Sequence, residues 1–145
     1  MSEFAVRNRI KSQLPESGNP FAIIMDCPTT TEARLGKINV GSIQSVLDPM
    51  FKFAGIKASD ALLTHAIQLK PAQDNLQSFF HKRSEYKKIK KETEWRSNYA
   101  PTQYGYLKEE YEEDIERLWA EIEEHKPNTI IAMGGIAFWA QYELD

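Results

Sequence analysis

The sequence predicts a three-layer α/β/α sandwich on a short parallel sheet. Two apolar runs, Phe21–Met25 and Thr129–Met133, are too short for helices and read as strands buried on both faces. A long amphipathic helix pattern immediately precedes the second run. Taken in order, strand and helix signals alternate along the chain, which implies parallel pairing with crossovers.

The bulk properties set the limits. At 145 residues the chain is one domain of ordinary size, able to bury a core. Apolar residues at 41% and charged residues at 27% are those of a soluble globular protein. No run reaches the length of a membrane span, and the polar start Met1-Ser-Glu-Phe4 lacks the apolar centre of a signal peptide. The single cysteine, Cys27, excludes an intrachain disulfide and a cysteine-ligated zinc or iron–sulfur site. A cytoplasmic setting, no metal and no cofactor are expected. The net charge of −3 does not single out a nucleic-acid partner, but its distribution is informative.

Residues 1–20 form an N-terminal extension in which Phe4, Val6 and Ile10 fit one short helix ahead of Pro15. Gly18-Asn19-Pro20 breaks the chain before the first strand. That strand stops at Asp26-Cys27-Pro28, and three hydroxyls follow, Thr29 to Thr31. An ionisable group at a strand's carboxyl end suits a ligand site, since open α/β sheets bind ligands at that edge. The competing reading has Asp26 capping the Thr29–Thr31 turn. Thr29 to Val40 has little periodicity, holds Gly36, and reads as a loop of about a dozen residues.

Gly41-Ser42 then opens a helix with Ile43, Val46, Leu47, Met50 and Phe51 on one face, closed by Gly55. Pro49 argues for a kink or a fresh first turn after Asp48, because an interior proline costs ~3 kcal/mol. Ala61 to Leu69 is the second strand, with His65 near its end and Lys70-Pro71 stopping it. Residues 76–106 are a basic insert. Within it His81 to Arg96 carries seven Lys or Arg against three Glu, interleaved with Tyr86 and Trp95. Such a mix combines phosphate-neutralising charge with aromatic faces, as single-strand binders do. The plainer reading is a solvated helix with Tyr86, Ile89 and Phe79 turned inward. Asn98 to Gly105 is a turn-rich loop. Leu107 to His125 is a helix with the stripe Leu107, Tyr111, Ile115, Leu118 and Ile122, acidic elsewhere, and ended by Lys126-Pro127-Asn128. Gly134-Gly135 turns the third strand into a last helix from Ile136. The edge beyond Thr129–Met133 is a pairing liability unless further residues or a partner chain cover it.

Several of these stretches together resemble the uracil-DNA glycosylase superfamily, most nearly its bacterial and phage branch. Those proteins carry Gly-Glu-Ala-Pro-Gly at the end of a strand, an acidic loop, and Gly-Arg-Pro-Phe-Val-Gly opening a helix. Here the same places read Met25-Asp-Cys-Pro-Thr29, Thr30 to Leu35, and Gly36-Lys-Ile-Asn-Val-Gly41. Thr64-His-Ala-Ile-Gln-Leu-Lys-Pro71 is similar to the family's Thr-Asn-Val-Val-Lys-Cys-Arg-Pro strand. Lys126 to Gly134, with Ala137, is similar to its Pro-Lys-Val-Ile-Val-Ala-Leu-Gly strand. The likeness covers roughly residues 21–75 and 107–140.

The resemblance implies a glycosylase-like fold, here short of its last strand, and hydrolysis of the N-glycosidic bond of uracil in DNA. Asp26 would position the water and His65 would contact the base or protonate the leaving group. Base and backbone contacts would fall to Cys27, Pro28, Thr29, Thr30, Arg34, Asn39 and Lys70. The insert would add Lys87, Lys88, Lys90, Lys91, Trp95 and Arg96. Departures from the family pattern point the other way. Asp26 is one methylene shorter than the usual Glu, Asn39 replaces the stacking aromatic, His65 replaces an Asn, and Leu69 lies where a cluster cysteine would. The C-terminal His motif is missing. These differences suit a second reading: a non-catalytic phage replication module of the same fold that binds single-stranded or uracil-containing DNA, a DNA polymerase or another replication protein. Cys27, beside the Asp26 charge, reads as a packing residue whose thiolate is disfavoured.

Overall fold

A computed structural model of the chain describes residues 8–16 and 20–144. In chain order the elements are β1 (Phe21–Met25), α1 (Thr30–Leu35), α2 (Ser42–Ala54), β2 (Leu62–His65), β3 (Phe80–His81), α3 (Arg83–Glu92), β4 (Tyr106–Leu107), α4 (Glu112–His125), β5 (Thr129–Met133) and α5 (Gly135–Leu144). β1 is the middle strand of a parallel sheet ordered β2-β1-β5. The short β3 and β4 pair antiparallel, and their hairpin carries α3.

Period-two alternation in β1 places the core on both faces. Ala22 and Ile24 join a cluster with Ile115 and Leu118 of α4, Ile136 and Ala140 of α5, and Phe79 and Phe80 of the insert. Ile23 and Met25 point to the opposite face, against Leu47 and Phe51 of α2, Ile10 and Ile38. Both Ile23 and Ile24 are 1% exposed, and each such side chain contributes about 1.5–3 kcal/mol by leaving water. The chain is therefore a mixed α/β fold with helices on both faces of a short parallel sheet.

Other elements depart from the expectations. Thr29–Val40 is not a loop throughout: Thr30–Leu35 is a helix, nucleated by a reciprocal cap at its start and ended by Gly36 at φ 67°. α2 runs unbroken through Pro49, which is exposed, so the forfeited bond is the one to the Ser45 carbonyl. Its apolar stripe is rotated outward from the expected one. Ile43, Leu47 and Phe51 face the sheet, whereas Val46 is 51% and Met50 46% exposed. The second strand is only Leu62–His65, although burial continues through Leu69. The helix expected from Leu107 starts at Glu112, because Leu107 pairs with Phe80 across the hairpin.

β5 is an edge strand and is not buried on both faces: Met133 packs against the cluster around α2, whereas Ile131 is 39% exposed. The opposite edge is covered. Ile10, placed in a helix by the sequence pattern, lies in no helix and donates its amide to the Gln68 carbonyl at 2.9 Å. Gln13 bridges Leu63 in antiparallel fashion. Phe4, Val6 and the Gly18-Asn19 break lie outside the described residues. No described helix is long and apolar enough to cross a membrane.

Candidate functional site

The three parallel strands end in register, Met25 opposite both His65 and Met133. That places Asp26, Ala66 and Gly134 side by side at the carboxyl edge. From β1 the chain leaves toward α2 on one face, and from β5 it turns into α5 on the other. In open α/β sheets a switch point of this kind is the place where ligands bind.

Asp26 follows directly on β1 and is half-buried. One carboxylate oxygen, Oδ1, accepts the Ala137 amide at 2.7 Å. Burial raises the Asp26 pKa, and the amides of Ala137 and Ile136 oppose the rise. Gly134 has φ +124°, and a Cβ there would overlap the Asp26 carboxylate. So Asp26 does cap a local structure, but that structure is the first turn of α5, not the Thr29–Thr31 turn. A carboxylate suits a helix N-terminus, where unpaired amides and the dipole favour negative charge.

The residue that organises the rest of the edge is Glu32, which the sequence reading passed over. It is 1% exposed and accepts three donors. Oε1 takes the Thr29 amide at 3.0 Å and faces His65 Nε2 at 3.2 Å; Oε2 takes the Asn39 amide at 2.7 Å. The Thr29 hydroxyl accepts the Glu32 amide in return, at 3.1 Å. This is a capping box, and Thr-x-x-Glu before a helix was the signal available to find it. Burial would raise the Glu32 pKa; the hydrogen bond and charge of His65, with the amides of Thr29 and Asn39, outweigh it and hold it below the ordinary value.

His65 is completely buried, and its Nδ1 has no partner among the described residues. Asn39 has φ 61°, and its Oδ1 is likewise buried and unpartnered. The two residues standing where the resemblance puts base contacts thus bracket Glu32, each with one unused polar atom. Cys27 is half-buried, and burial first, then the Asp26 charge, push its thiol up to about 12. Pro28 is buried. Thr30 and Lys70 both turn to Asp74, at 3.4 Å and 2.8 Å. Arg34 is exposed in the last turn of α1.

The basic stretch forms a separate surface. In α3 Tyr86 is buried and Ile89 half-buried, while Arg83, Lys87, Lys88, Lys90 and Lys91 are exposed. Arg83, Lys87 and Lys91 recur every four residues and make one line of charge, with Lys90 beside it and its ammonium 5.0 Å from the Tyr86 ring centre. Glu85 and Glu92 fall on the far flank. Trp95 stands edge-on to His81 and Tyr86, and Tyr86 leans on Tyr106 at 4.0 Å between centroids. Trp95 therefore works first as a support joining α3 to the hairpin. Arg96 folds back onto the carbonyls of Lys90, Thr93 and Trp95.

Neighbouring α4 contributes a buried polar cluster. Arg117 donates to Thr64 Oγ1 at 2.7 Å, Glu121 at 2.8 Å, and the carbonyls of His65 and Ala66 at 2.6 and 3.2 Å. Burial lowers its pKa, against Glu121. Among the described residues no group of three or more His, Cys, Asp or Glu is placed to hold a metal ion. No protein-family model matches the chain, and no curated protein is significantly similar to it.

Proposed function

We propose that this is a DNA-binding protein of uracil-DNA glycosylase-like fold that holds the phosphate backbone along α3. The supporting observation is the line of exposed cations Arg83, Lys87 and Lys91, widened by Lys88 and Lys90, on a helix braced by packed aromatics. Such a face binds phosphates independently of sequence, by releasing condensed counterions. The exposed acids of α4, among them Glu113, Glu116, Glu123 and Glu124, keep DNA from approaching that side.

The test is fluorescence anisotropy with single-stranded and duplex oligonucleotides over a salt series. Reversing Lys87, Lys88, Lys90 and Lys91 to Glu removes about four phosphate contacts. The slope of log affinity against log salt should then fall by about 3, at roughly 0.7–0.9 per contact. An unchanged affinity and slope would sink the reading.

A second reading, hydrolysis of the uracil N-glycosidic bond, is favoured by Asp26. Its carboxylate lies at the carboxyl edge with a pKa raised by burial, and its Oδ2 could hydrogen-bond a water. Against it, Oδ1 already holds α5, His65 is sealed from solvent, and Asn39 offers no ring to stack on a base. Uracil-containing oligonucleotides scored for abasic sites decide. Product that vanishes in Asp26→Asn, with DNA affinity kept, establishes the hydrolase; binding without product leaves the holding role.

A further inference from the structure

We infer, on the DNA-holding reading above, that α3 runs along the phosphates of one strand and enters no groove. A single strand is then its complete ligand, and duplex DNA binds more weakly. The distribution of charge around the helix, rather than its sum, carries this distinction.

Successive residues of an α-helix are turned by about 100°, which divides α3 into three sectors. Lys90, Arg83, Lys87, Lys91 and Lys88 follow in that angular order across about 160° of its circumference, all exposed. None of the five has an ion-pair partner among the described residues. Tyr86 and Ile89 occupy the side turned to the protein. Tyr86 is buried, leans on Tyr106, and its hydroxyl accepts the Ser97 amide at 2.9 Å. Between Lys88 and Ile89 lie the two acids, Glu85 and Glu92, about 20° apart and both exposed. Glu85 Oε2 is 3.9 Å from His81 Nδ1.

A helix lying in the major groove fills it, since the groove is about 12 Å wide and a helix with side chains about 10–12 Å across. Phosphates then line both flanks of the helix. α3 has cations for one flank only; the other carries Glu85 and Glu92 or is packed against the hairpin. The lengths agree with one strand. Arg83 to Lys91 spans about 12 Å, over which one strand of a duplex passes about three to four phosphates. Five cations are enough for that number. A second strand adds as many phosphates again, and the sector left to meet them holds Glu85 and Glu92. Repulsion at about 10 Å, one Debye length at ~0.1 M salt, is weak for each pair, so the expected preference for single strand over duplex is about three- to tenfold.

Affinities of the full chain for a short labelled single strand and for its blunt duplex, read by anisotropy at ~0.1 M salt, should differ by at least about threefold in favour of the single strand. Neutralising the flank with Glu85→Gln and Glu92→Gln together should raise duplex affinity more than single-strand affinity, bringing the two within about twofold. Methylating guanine N7, which lies in the major groove, should leave duplex binding unchanged. Native protein that binds duplex as tightly as single strand overturns the inference. So does a gap that the paired substitution leaves intact, or interference by N7 methylation. In each of those cases DNA is still held and the phosphate-holding reading survives; binding to neither form removes both.

Discussion

Replacing Glu32 by Gln tests the organisation of the carboxyl edge most directly. Glu32 offers two acceptor oxygens to three donors: the amides of Thr29 and Asn39, and His65 Nε2. A glutamine keeps one oxygen. Placed at Oε1, it turns its NH2 toward the Asn39 amide; placed at Oε2, it turns the NH2 toward the Thr29 amide. Either way at least one buried N–H loses its partner, at about 1–3 kcal/mol. The surviving bonds also lose their charge assistance, roughly halving each. The expected loss is ~2–4 kcal/mol, read as a fall of about 1–2 M in the urea midpoint at pH 7. The sign with pH is fixed as well. Glu32 has a folded pKa below its ordinary value of 4.5, so its ionised form stabilises the fold above that value. The contribution is lost as pH falls through the folded pKa, and the gap between native protein and variant should close in that window. A change under ~0.5 kcal/mol at pH 7, or a gap that widens in acid, would refute the argument.

Other perturbations have equally definite outcomes. Thr29→Ala removes the hydroxyl half of the capping box and should cost ~1 kcal/mol in chemical denaturation. Gly134→Ala forces a Cβ into the Asp26 carboxylate at a positive φ, and should destabilise clearly more than Thr29→Ala. Arg117→Lys cannot reproduce the fork that serves Thr64, Glu121 and two carbonyls, so a loss of ~2–3 kcal/mol is expected although positive charge remains. Cys27, its thiol pushed up to about 12, should alkylate at pH 8 at least about tenfold more slowly than a free thiol, the loss of thiolate outweighing its greater nucleophilicity.

Much of this fold could be read from the sequence, and the misses have common physical causes. β1, β5 and the buried stripe of α4 follow from periodicity, which reports how a segment alternates between core and solvent. Periodicity does not report what lies beside a strand, so Thr129–Met133 read as buried when it is an edge. It is also blind to short elements held by single side chains. α1 has six residues, and its existence depends on Thr29 and Glu32 capping each other. Leu107 obeyed the helical spacing of α4 yet belongs to the hairpin, because pairing with Phe80 outweighs local preference. At the site, Asp26 and His65 were placed correctly at adjoining strand ends. Their partners were not legible: Ala137 lies 111 residues from Asp26 in sequence, and Glu32 lies 33 from His65.

The covered edge of β2 has a consequence for how the chain is made. Arg9 reaches Asp114 through two hydrogen bonds, and Gln13 bridges Leu63, so the first described residues find their partners in segments translated long afterwards. β1 has the same difficulty, since its second neighbour begins at Thr129. At ~5–20 residues per second, a bare apolar strand would stand on the nascent chain for several seconds. Closing such long separations also slows folding in vitro. A nascent chain of this protein is thus expected to rely on chaperone holding until β5 has emerged, even if the finished fold is stable.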